Sequence, residues 1–408
     1  MNQRNLITKK RSAPSNGVGV SQEESIMLGK LFWIEVDRSA LLHNLRLIKS
    51  IIGTTVMPII KGNAYGHGLV EVARTLNGEA DIFGVVSFAE ALALHEAGVK
   101  TEIVILGKQT PSEMKRSVEL GFSFGVFDFE DLENIEQAQN QSKHGSGLTK
   151  VHIKIETGIN RLGFQLEELS KVIEVLKEKG EIRVEGVFSH LASVEELNQS
   201  YTEKQIEKFE EGLKIFASAN IKPKYRHIAA SAAAVMYPET RYDLTRLGIM
   251  LYGLPPSAGF RLWAESKNIF DHERKILPIL SYRARIVHLK DVRKGGYIGY
   301  GCSFQAPRDL RLAVLSVGYA EGLPRAVSGR GEVLIAGQRA KIIGRVCMNM
   351  TMVDVTDIDN VKVGEIATLI GRDGEAEITA DELAKWADTI NYEITTHLPS
   401  SLPRFYNE

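Results

Sequence analysis

The strongest constraint on the fold is a regular alternation of short apolar runs with longer helical patterns between residues 55 and 246. One of these helical patterns opens with Ser87-Phe-Ala-Glu90, which is a capping box. Strands that alternate with helices favour parallel βαβ units. Eight units in about 200 residues predict an α/β fold with a closed, TIM-like (β/α)8 barrel, and an open doubly wound sheet is the alternative. The predicted strands are residues 55–60, 82–86, 102–106, 122–126, 151–156, 184–189, 225–229 and 242–246.

The C-terminal part of the chain predicts a second, mainly β domain. Short β-rich runs lie between glycines at 279–370, and no long helical pattern interrupts them. Residues 256–277 are irregular and charged, which predicts a linker or a surface insertion. An early run at 31–36 could join the β domain. The predicted division is a disordered tail at 1–29, a barrel at 30–255, and the linker with the β domain at 256–408.

Composition limits the classes of function. The chain has 408 residues and a formal net charge of −1, so nothing indicates binding to nucleic acid or to an anionic membrane. No apolar run reaches the roughly 18 residues of a membrane-spanning helix. Two cysteines, Cys302 and Cys347, are too few for a disulfide framework, and we expect both to be buried free thiols. Without a secretory signal pattern, a cytoplasmic location is expected. No metal site is predicted.

The residues after the first strand carry the most specific chemical signal, Ile59-Ile-Lys-Gly-Asn-Ala-Tyr-Gly-His-Gly68. A lysine at the end of a buried strand is costly to keep charged, because desolvation disfavours the ammonium form. The usual task of such a lysine is covalent: its amine forms a Schiff base with a carbonyl, most often that of pyridoxal 5′-phosphate (PLP). Tyr65 could reach a phosphate from the same loop as Lys61. A surface lysine at a strand end is the alternative.

Polar residues and glycines also follow the later strands. In a barrel these ends meet at one mouth, where active sites lie and where phosphates often bind near strands 7 and 8. The pattern therefore predicts one site at this mouth. Its further members are residues 157–161 after the fifth strand, His190 after the sixth, Ser231 after the seventh and residues 246–249 at the eighth.

From about residue 31 to residue 406 the chain resembles the alanine racemase family. The matching segments, in the family's order, are residues 59–68, 156–164, 188–192, 227–234, 246–249, 299–301, 344–350 and 391–404. The resemblance implies a PLP-dependent isomerase that interconverts L- and D-alanine by a two-base mechanism. It also implies a role in supplying D-alanine for the cell wall, and a homodimer whose active site is shared between subunits.

The same resemblance assigns cofactor contacts. Lys61 would hold PLP, and Tyr65 would contact its phosphate. Arg246 would face the pyridine nitrogen, and because arginine only donates, this nitrogen would stay unprotonated. The cofactor would then be a weaker electron sink, which disfavours transamination. The remaining phosphate contacts would be Ser231, Gly248 and Ile249.

Racemisation removes a proton from one face of the substrate and returns it to the other, so two bases on opposite faces are needed. The resemblance implies Lys61 and Tyr300, with Tyr300 coming from the partner subunit. A chain from Arg246 through His190 would tune that tyrosine, whose ordinary pKa near ~10 is too high for a base at neutral pH.

The substrate carboxylate would be bound by Arg161 and by the backbone amide of Met348. Lys154 matches a lysine that is carbamylated in some members of the family, and an ordinary strand lysine is the alternative. Two residues depart from the family pattern: Asn349 stands where aspartate is usual, and Ser400 where a phosphate-contacting tyrosine is expected. We therefore expect a pocket that accepts side chains larger than methyl, such as that of serine.

The sequence is also compatible with other functions. A racemase of broader or different specificity is the first alternative to alanine. A PLP-dependent decarboxylase on the same architecture is disfavoured, because Arg246 stands where a carboxylate would be expected. A non-catalytic PLP carrier is disfavoured by Tyr300 and by residues 279–408, because such carriers lack a β domain.

Overall fold

The computed structural model describes residues 29–141, 148–179, 181–196, 198–270 and 274–408. The tail predicted at 1–29 lies outside these ranges except for its last residue. The described chain begins with strand β1 (Phe32–Asp37) and helix α1 (Arg38–Ile52). Asp37 caps α1 by accepting a hydrogen bond from the Ala40 amide at 2.7 Å.

The predicted barrel is confirmed. Strands β3 to β8 form one parallel sheet in chain order, and β2 pairs in parallel with β9. Two backbone bonds join these pieces: the Ile60 amide donates to Gly84 at 2.9 Å, and the Arg246 amide donates to Ala229 at 3.1 Å. The strands therefore close on themselves, unlike an open sheet. They are β2 (Thr55–Pro58), β3 (Ile82–Val85), β4 (Glu102–Ile105), β5 (Ser123–Val126), β6 (Thr149–Lys154), β7 (Ile182–Phe188), β8 (Tyr225–His227) and β9 (Leu244–Leu247).

Helices cover the outside of the barrel with their apolar faces turned inward. The predicted capping box is present: the Glu90 amide donates to the Ser87 hydroxyl at 3.2 Å, and the Ser87 amide donates to the Glu90 carboxylate at 3.3 Å. No helix in the described ranges is long and apolar enough to span a membrane. The helices are α2 (Leu69–Thr75), α3 (Phe88–Glu96), α4 (Pro111–Leu120), α5 (Phe129–Gln141), α6 (Leu169–Glu178), α7 (Ser200–Ser218) and α8 (Ser231–Met236), with short 3₁₀ turns at Leu166–Glu168, Pro238–Thr240 and Ile249–Tyr252.

The segment at 256–277 was predicted to be irregular, and this is wrong for its first half. Helix α9 occupies Ala258–Ser266, and the Ser257 hydroxyl caps it by accepting from the Phe260 amide at 3.0 Å. Phe260 and Ala264 are its buried residues. The helix is short and bears charges close to these two positions, so its apolar periodicity is weak in the sequence.

The C-terminal part is mainly β, as predicted. Its central sheet has the order β15–β14–β17–β10–β1–β19, and β13 bridges β10 to β16. The strands are β10 (Leu280–Val292), β11 (Tyr297–Ile298), β12 (Phe304–Gln305), β13 (Leu310–Leu315), β14 (Glu332–Ile335), β15 (Gln338–Lys341), β16 (Thr351–Asp354), β17 (Ile366–Asp373), β18 (Ala376–Ile378) and β19 (Arg404–Asn407), with helices α10 (Ala380–Ala387) and α11 (Asn391–Thr396). Short 3₁₀ turns lie at Tyr300–Cys302, Tyr319–Glu321 and Arg325–Val327.

The two parts are connected where the chain enters the barrel and where it leaves the barrel. Strand β1 lies in the C-terminal sheet, antiparallel to β10 and parallel to β19, and α1 then leads into the barrel. The fully buried side chain of Asn44 in α1 holds the segment through which the chain passes from the barrel back to the C-terminal sheet. Its amide nitrogen donates to Leu251 at 3.1 Å and to Leu277 at 2.8 Å, and its oxygen accepts from the Leu277 amide at 2.8 Å.

We expect Gly253→Ala to destabilise this joint far more than Gly78→Ala. Both glycines have positive φ, so both substitutions incur backbone strain of about 1–2 kcal/mol. A Cβ at Gly253 would also lie 1.8 Å from the Leu277 carbonyl oxygen, whereas a Cβ at Gly78 meets nothing within 4 Å. The free energy of unfolding from urea titrations should fall by at least about 3 kcal/mol for Gly253→Ala. Equal losses in the two variants would contradict this account of the joint.

Candidate active site

A cavity of about 860 Å³ opens at the C-terminal ends of the barrel strands. Residues from separate strands and loops converge on it, as the sequence predicted for one mouth. The predicted site residues that line it are Lys61, Tyr65, Lys154, Arg161, His190, Ser231, Arg246, Gly248 and Ile249. A single barrel therefore brings together the residues expected from five different segments.

The loop that presents Lys61 has an unusual backbone. Residues 62–65 all have left-handed φ, from 53° to 62°, and only Gly62 is a glycine. Left-handed conformation costs roughly 1–2 kcal/mol for each residue with a side chain, so this turn stores strain. Its internal bonds run from the Ala64 amide to Ile60 at 2.8 Å and from the Gly66 amide to Gly62 at 3.0 Å.

The C-terminal segment of the chain holds this strained turn in place. The Arg404 guanidinium donates to the Gly66 carbonyl at 2.9 Å, and the Tyr406 hydroxyl donates to the His67 carbonyl at 3.0 Å. Helix α11 packs so closely that a Cβ at Gly66 would lie 1.9 Å from the Thr395 carbonyl oxygen. The β domain therefore acts as a clamp on the loop of the barrel that carries Lys61.

Lys61 has the properties of a nucleophilic amine. Desolvation by the surrounding protein lowers its pKa, and the nearby cations Arg161 and Arg246 lower it further, while Glu90 partly opposes them. The side chain nevertheless stays accessible to solvent through the open mouth of the cavity. A lowered pKa increases the neutral fraction of the amine, which is the form that attacks a carbonyl.

One corner of the cavity is built from hydroxyl groups and backbone amides. The Gly248 amide donates to the Ser231 hydroxyl at 3.0 Å, and a Cβ at Gly248 would lie 2.8 Å from the Tyr65 hydroxyl. Burial raises the pKa of Tyr65 to about 12, so its hydroxyl remains a donor. The Tyr65 ring packs against Tyr252 with centroids 5.0 Å apart, which fixes its position. Such a corner can bind a phosphate group.

Arg246 is a buried cation at the end of β9. Its guanidinium donates to the carbonyls of Ser189 at 2.7 Å and Ile228 at 2.8 Å, and to Nδ1 of His227 at 2.8 Å and of His190 at 3.2 Å. Burial lowers its pKa to about 9, and Arg161 contributes to the same effect. Among the described residues Arg246 forms no ion pair, so it presents positive charge to the cavity.

The guanidinium also orders a chain of imidazoles that the sequence analysis missed. Because arginine only donates, Nδ1 of His227 accepts and its Nε2 carries the proton, which is donated to Nδ1 of His152 at 2.9 Å. Desolvation, reinforced by Arg246, lowers the pKa of His227 well below its usual value and that of His152 to about 3. The sequence signal that could have revealed this chain was the presence of one histidine in each of the strands β6 and β8.

Two cationic residues flank the other side of the cavity. Lys154, at the end of β6, is buried, and desolvation with help from Arg161 lowers its pKa to about 8. A substantial fraction of this amine is therefore neutral near pH 8. Arg161 is exposed in the cavity mouth, and its amide donates to the Glu156 carboxylate at 3.2 Å.

Four predicted site residues, Ser400 among them, do not line this cavity in the single chain. Tyr300, Met348 and Asn349 belong to the β domain, where Tyr300 is 69% exposed and Met348 is 55% exposed. Cys302 is exposed and Cys347 is half-buried, so the expectation of buried thiols was wrong. Both cysteines lie in turns beside these residues and not in strands that face the core.

Ser400 also lies outside the cavity of the single chain. Its side chain is exposed, and its carbonyl accepts from Arg404 at 3.2 Å. A tyrosine that does line the cavity is Tyr392 in α11, whose ring lies 6.2 Å from that of Tyr65. The C-terminal segment therefore already places one aromatic ring beside Tyr65. The wider pocket that we expected from Ser400 stays a prediction.

Comparison with known proteins identifies the family. The model for the alanine racemase N-terminal domain matches residues 36–256, and the model for the alanine racemase C-terminal domain matches residues 279–406. The chain belongs to the alanine racemase family. A curated alanine racemase from Symbiobacterium thermophilum is 38% identical over 377 residues, which cover 92% of this chain and 96% of the relative. One from Leptospira interrogans is 40% identical and covers 91% and 95%.

Solved alanine racemase structures share the fold. The enzyme from a D-cycloserine-producing Streptomyces lavendulae superimposes with a TM-score of 0.86 at 30% identity, over 93% of this chain and 97% of that one. The Bacillus anthracis enzyme with bound L-Ala-P gives a TM-score of 0.84 at 33% identity, over 93% and 95%. This chain is therefore similar to alanine racemases over both of its parts.

The buried imidazole chain predicts acid sensitivity. His152 has a folded-state pKa of about 3 against an ordinary 6.5, so the unfolded chain binds a proton first and the stabilising contribution of neutral His152 is lost as pH falls from about 6.5 towards 3. When the pH falls below 6, the free energy of unfolding of His152→Gln should fall less steeply than that of the natural protein. The difference between the two slopes should be up to about 1.4 kcal/mol per pH unit. Urea titrations at pH 7, 6 and 5 measure this slope. The exposed His288→Gln is the control, and an unchanged slope in His152→Gln would count against the assignment.

Proposed function

We propose that this protein is a PLP-dependent alanine racemase that supplies D-alanine for cell-wall synthesis. The observation that carries the proposal is that Lys61 and the buried Arg246 face one cavity whose far corner is formed by Tyr65, Ser231 and Gly248. The proposal includes a cytoplasmic homodimer with two shared active sites.

The residues of the cavity fit PLP. The corner at Gly248 offers hydroxyl and amide groups and leaves no room for a Cβ, as a phosphate-binding turn requires. Tyr65, Ser231, Gly248 and Ile249 would hold the phosphate, and Lys61 would provide the covalent link. When bound, PLP supplies electron withdrawal that makes the α-proton of an amino acid removable.

Arg246 would set the electronic character of the site. It donates to every partner that it contacts, and these include the neutral rings of His190 and His227. A group that only donates leaves the pyridine nitrogen without a proton. This supports a racemase over an aminotransferase, and it disfavours the decarboxylase that was considered from the sequence.

Two groups would move the proton of the substrate. Lys61 Nζ would hold or release it on one face, with a pKa already lowered by its surroundings. Tyr300 of the partner subunit would serve the opposite face. Its 69% exposure in the single chain supports this assignment, because an exposed tyrosine in the β domain is free to enter another subunit. His190 and Arg246 would then stabilise its deprotonated form.

Substrate binding and specificity follow from the groups that surround these bases. Arg161 in the cavity mouth and the Met348 amide of the partner subunit would bind the substrate carboxylate. Lys154, when neutral, would be open to carbamylation beside Arg161. Tyr392 lines the same cavity, with its ring 6.2 Å from that of Tyr65. A racemase of broader specificity is the second candidate, supported by the wide cavity.

Lys61→Ala should abolish the visible absorbance of lysine-bound PLP, because no covalent link can form. Spectra of the purified, PLP-loaded variant measure this. Lys108→Ala is the matched control, because Lys108 lines the same cavity but pairs with Asp131 at 2.8 Å. Protein-bound absorbance that persists unchanged in Lys61→Ala would show that another residue is the anchor.

Tyr300→Phe should retain the cofactor but slow proton removal from L-alanine by about 10²–10⁴-fold, because the general base is lost on one face. Circular dichroism of L-alanine during turnover measures the rate. Tyr297→Phe, another exposed tyrosine of the β domain, should keep the wild-type rate. Near-normal turnover in Tyr300→Phe would remove this residue from the mechanism.

The proposed substrate is tested by following the circular dichroism of L-alanine and L-serine with the PLP-loaded protein. Faster decay of the alanine signal to zero supports an alanine racemase. Faster decay with serine favours the broader racemase, and no decay with either amino acid contradicts the proposal.

A further inference from the structure

The loop that carries Met348 is tied to a second loop of the β domain. The Ala320 amide donates to the Met348 carbonyl at 2.9 Å, and the Tyr319 amide donates to the Cys347 carbonyl at 3.1 Å. The two backbones are so close that a Cβ at Gly318 would lie 2.4 Å from the Met348 carbonyl oxygen. Met348 therefore has a fixed carbonyl although its side chain is exposed.

One side-chain hydrogen bond joins the same two loops. The Asn349 amide nitrogen donates to Oε1 of Glu321 at 2.7 Å, and Oε2 of Glu321 accepts from the Gly318 amide at 2.9 Å. Glu321 is only 8% exposed, and the Tyr282 hydroxyl donates to its carbonyl at 2.6 Å. Glu321 is thus an anchored acceptor in the β domain, and Asn349 supplies a neutral donor to it.

The Met348 amide itself has no acceptor within the described chain, whereas the neighbouring Cys347 amide donates to Met350 at 2.9 Å. An unpaired N–H of an exposed residue, on a loop that is held on both sides, is available to an external anion. Its direction is set by the peptide plane that it shares with Cys347, whose carbonyl accepts from Tyr319, while Asn349 anchors the next residue along the chain to Glu321.

We propose that Asn349 and Glu321 are a positioning pair that holds the Met348 amide ready for the carboxylate of the substrate. The inference rests on the proposed function, in which this amide reaches the active site of the partner subunit. It also explains why asparagine stands at position 349, where aspartate is usual in the family. An aspartate there would place a second carboxylate at hydrogen-bonding distance from Glu321, and the two like charges would repel. Asparagine keeps the same shape and supplies the donor.

The test compares Asn349→Asp with the exchanged pair Glu321→Gln/Asn349→Asp. In the exchanged pair the amide introduced at position 321 would donate to the carboxylate introduced at position 349. The amide oxygen would still accept from Gly318, and the net charge would equal that of the natural pair. With L-alanine as substrate, the KM of Asn349→Asp should rise about tenfold or more while kcat changes little. The exchanged pair should recover most of the natural KM.

Hydrogen exchange of residues 347–350, measured by mass spectrometry without substrate, gives a second readout. The loop should exchange faster in Asn349→Asp and return towards the natural rate in the exchanged pair. An unchanged KM in Asn349→Asp, or equal losses in both variants, would overturn the inference. If the natural protein does not racemise alanine, the proposed function fails, but the exchange data still decide whether the pair holds the loop.

Discussion

The site depends on the clamp between the C-terminal segment and the left-handed turn that follows Lys61. Three residues with side chains adopt left-handed φ in succession, a conformation that local interactions do not stabilise. Hydrogen bonds from Arg404 and Tyr406 reach this turn across more than 300 residues of sequence. The position of Lys61 in the barrel is therefore decided together with the β domain, and neither part forms this arrangement alone.

The second constraint is electrostatic. A buried guanidinium without a carboxylate needs acceptors, and Arg246 finds them in carbonyls at the ends of β7 and β8 and in two imidazoles. Burial lowers the pKa of those two imidazoles, and the charge of Arg246 lowers it further, so both rings stay neutral. The same charge also lowers the pKa of Lys61 and of Lys154. Desolvation is the larger cause for each of these groups, and the charge of Arg246 adds to it.

Much of the fold and of the site followed from local patterns. Short apolar runs that alternate with helical patterns predicted the barrel, because parallel strands are buried on both faces and each covering helix buries one. Polar residues at strand ends predicted a single mouth, because the ends of parallel strands in a barrel meet there, and nine of the predicted site residues line it. The α9 helix was missed because its apolar stripe is only two residues long. The place of Ser400 outside the cavity was also missed, because spacing along a turn does not show which side chain points inward.

By itself the sequence determined which segments become strands and helices, and which lysine stands at the end of the first barrel strand, because these depend on neighbours along the chain. Only the tertiary structure decided that His152 and His227 extend from Arg246, and that Asn349 pairs with Glu321. Of these contacts, the one between Arg246 and His227 joins the residues that are nearest in sequence, and they are still 19 residues apart. No local sequence pattern can therefore predict these contacts. They form because distant segments must satisfy buried polar groups where they meet.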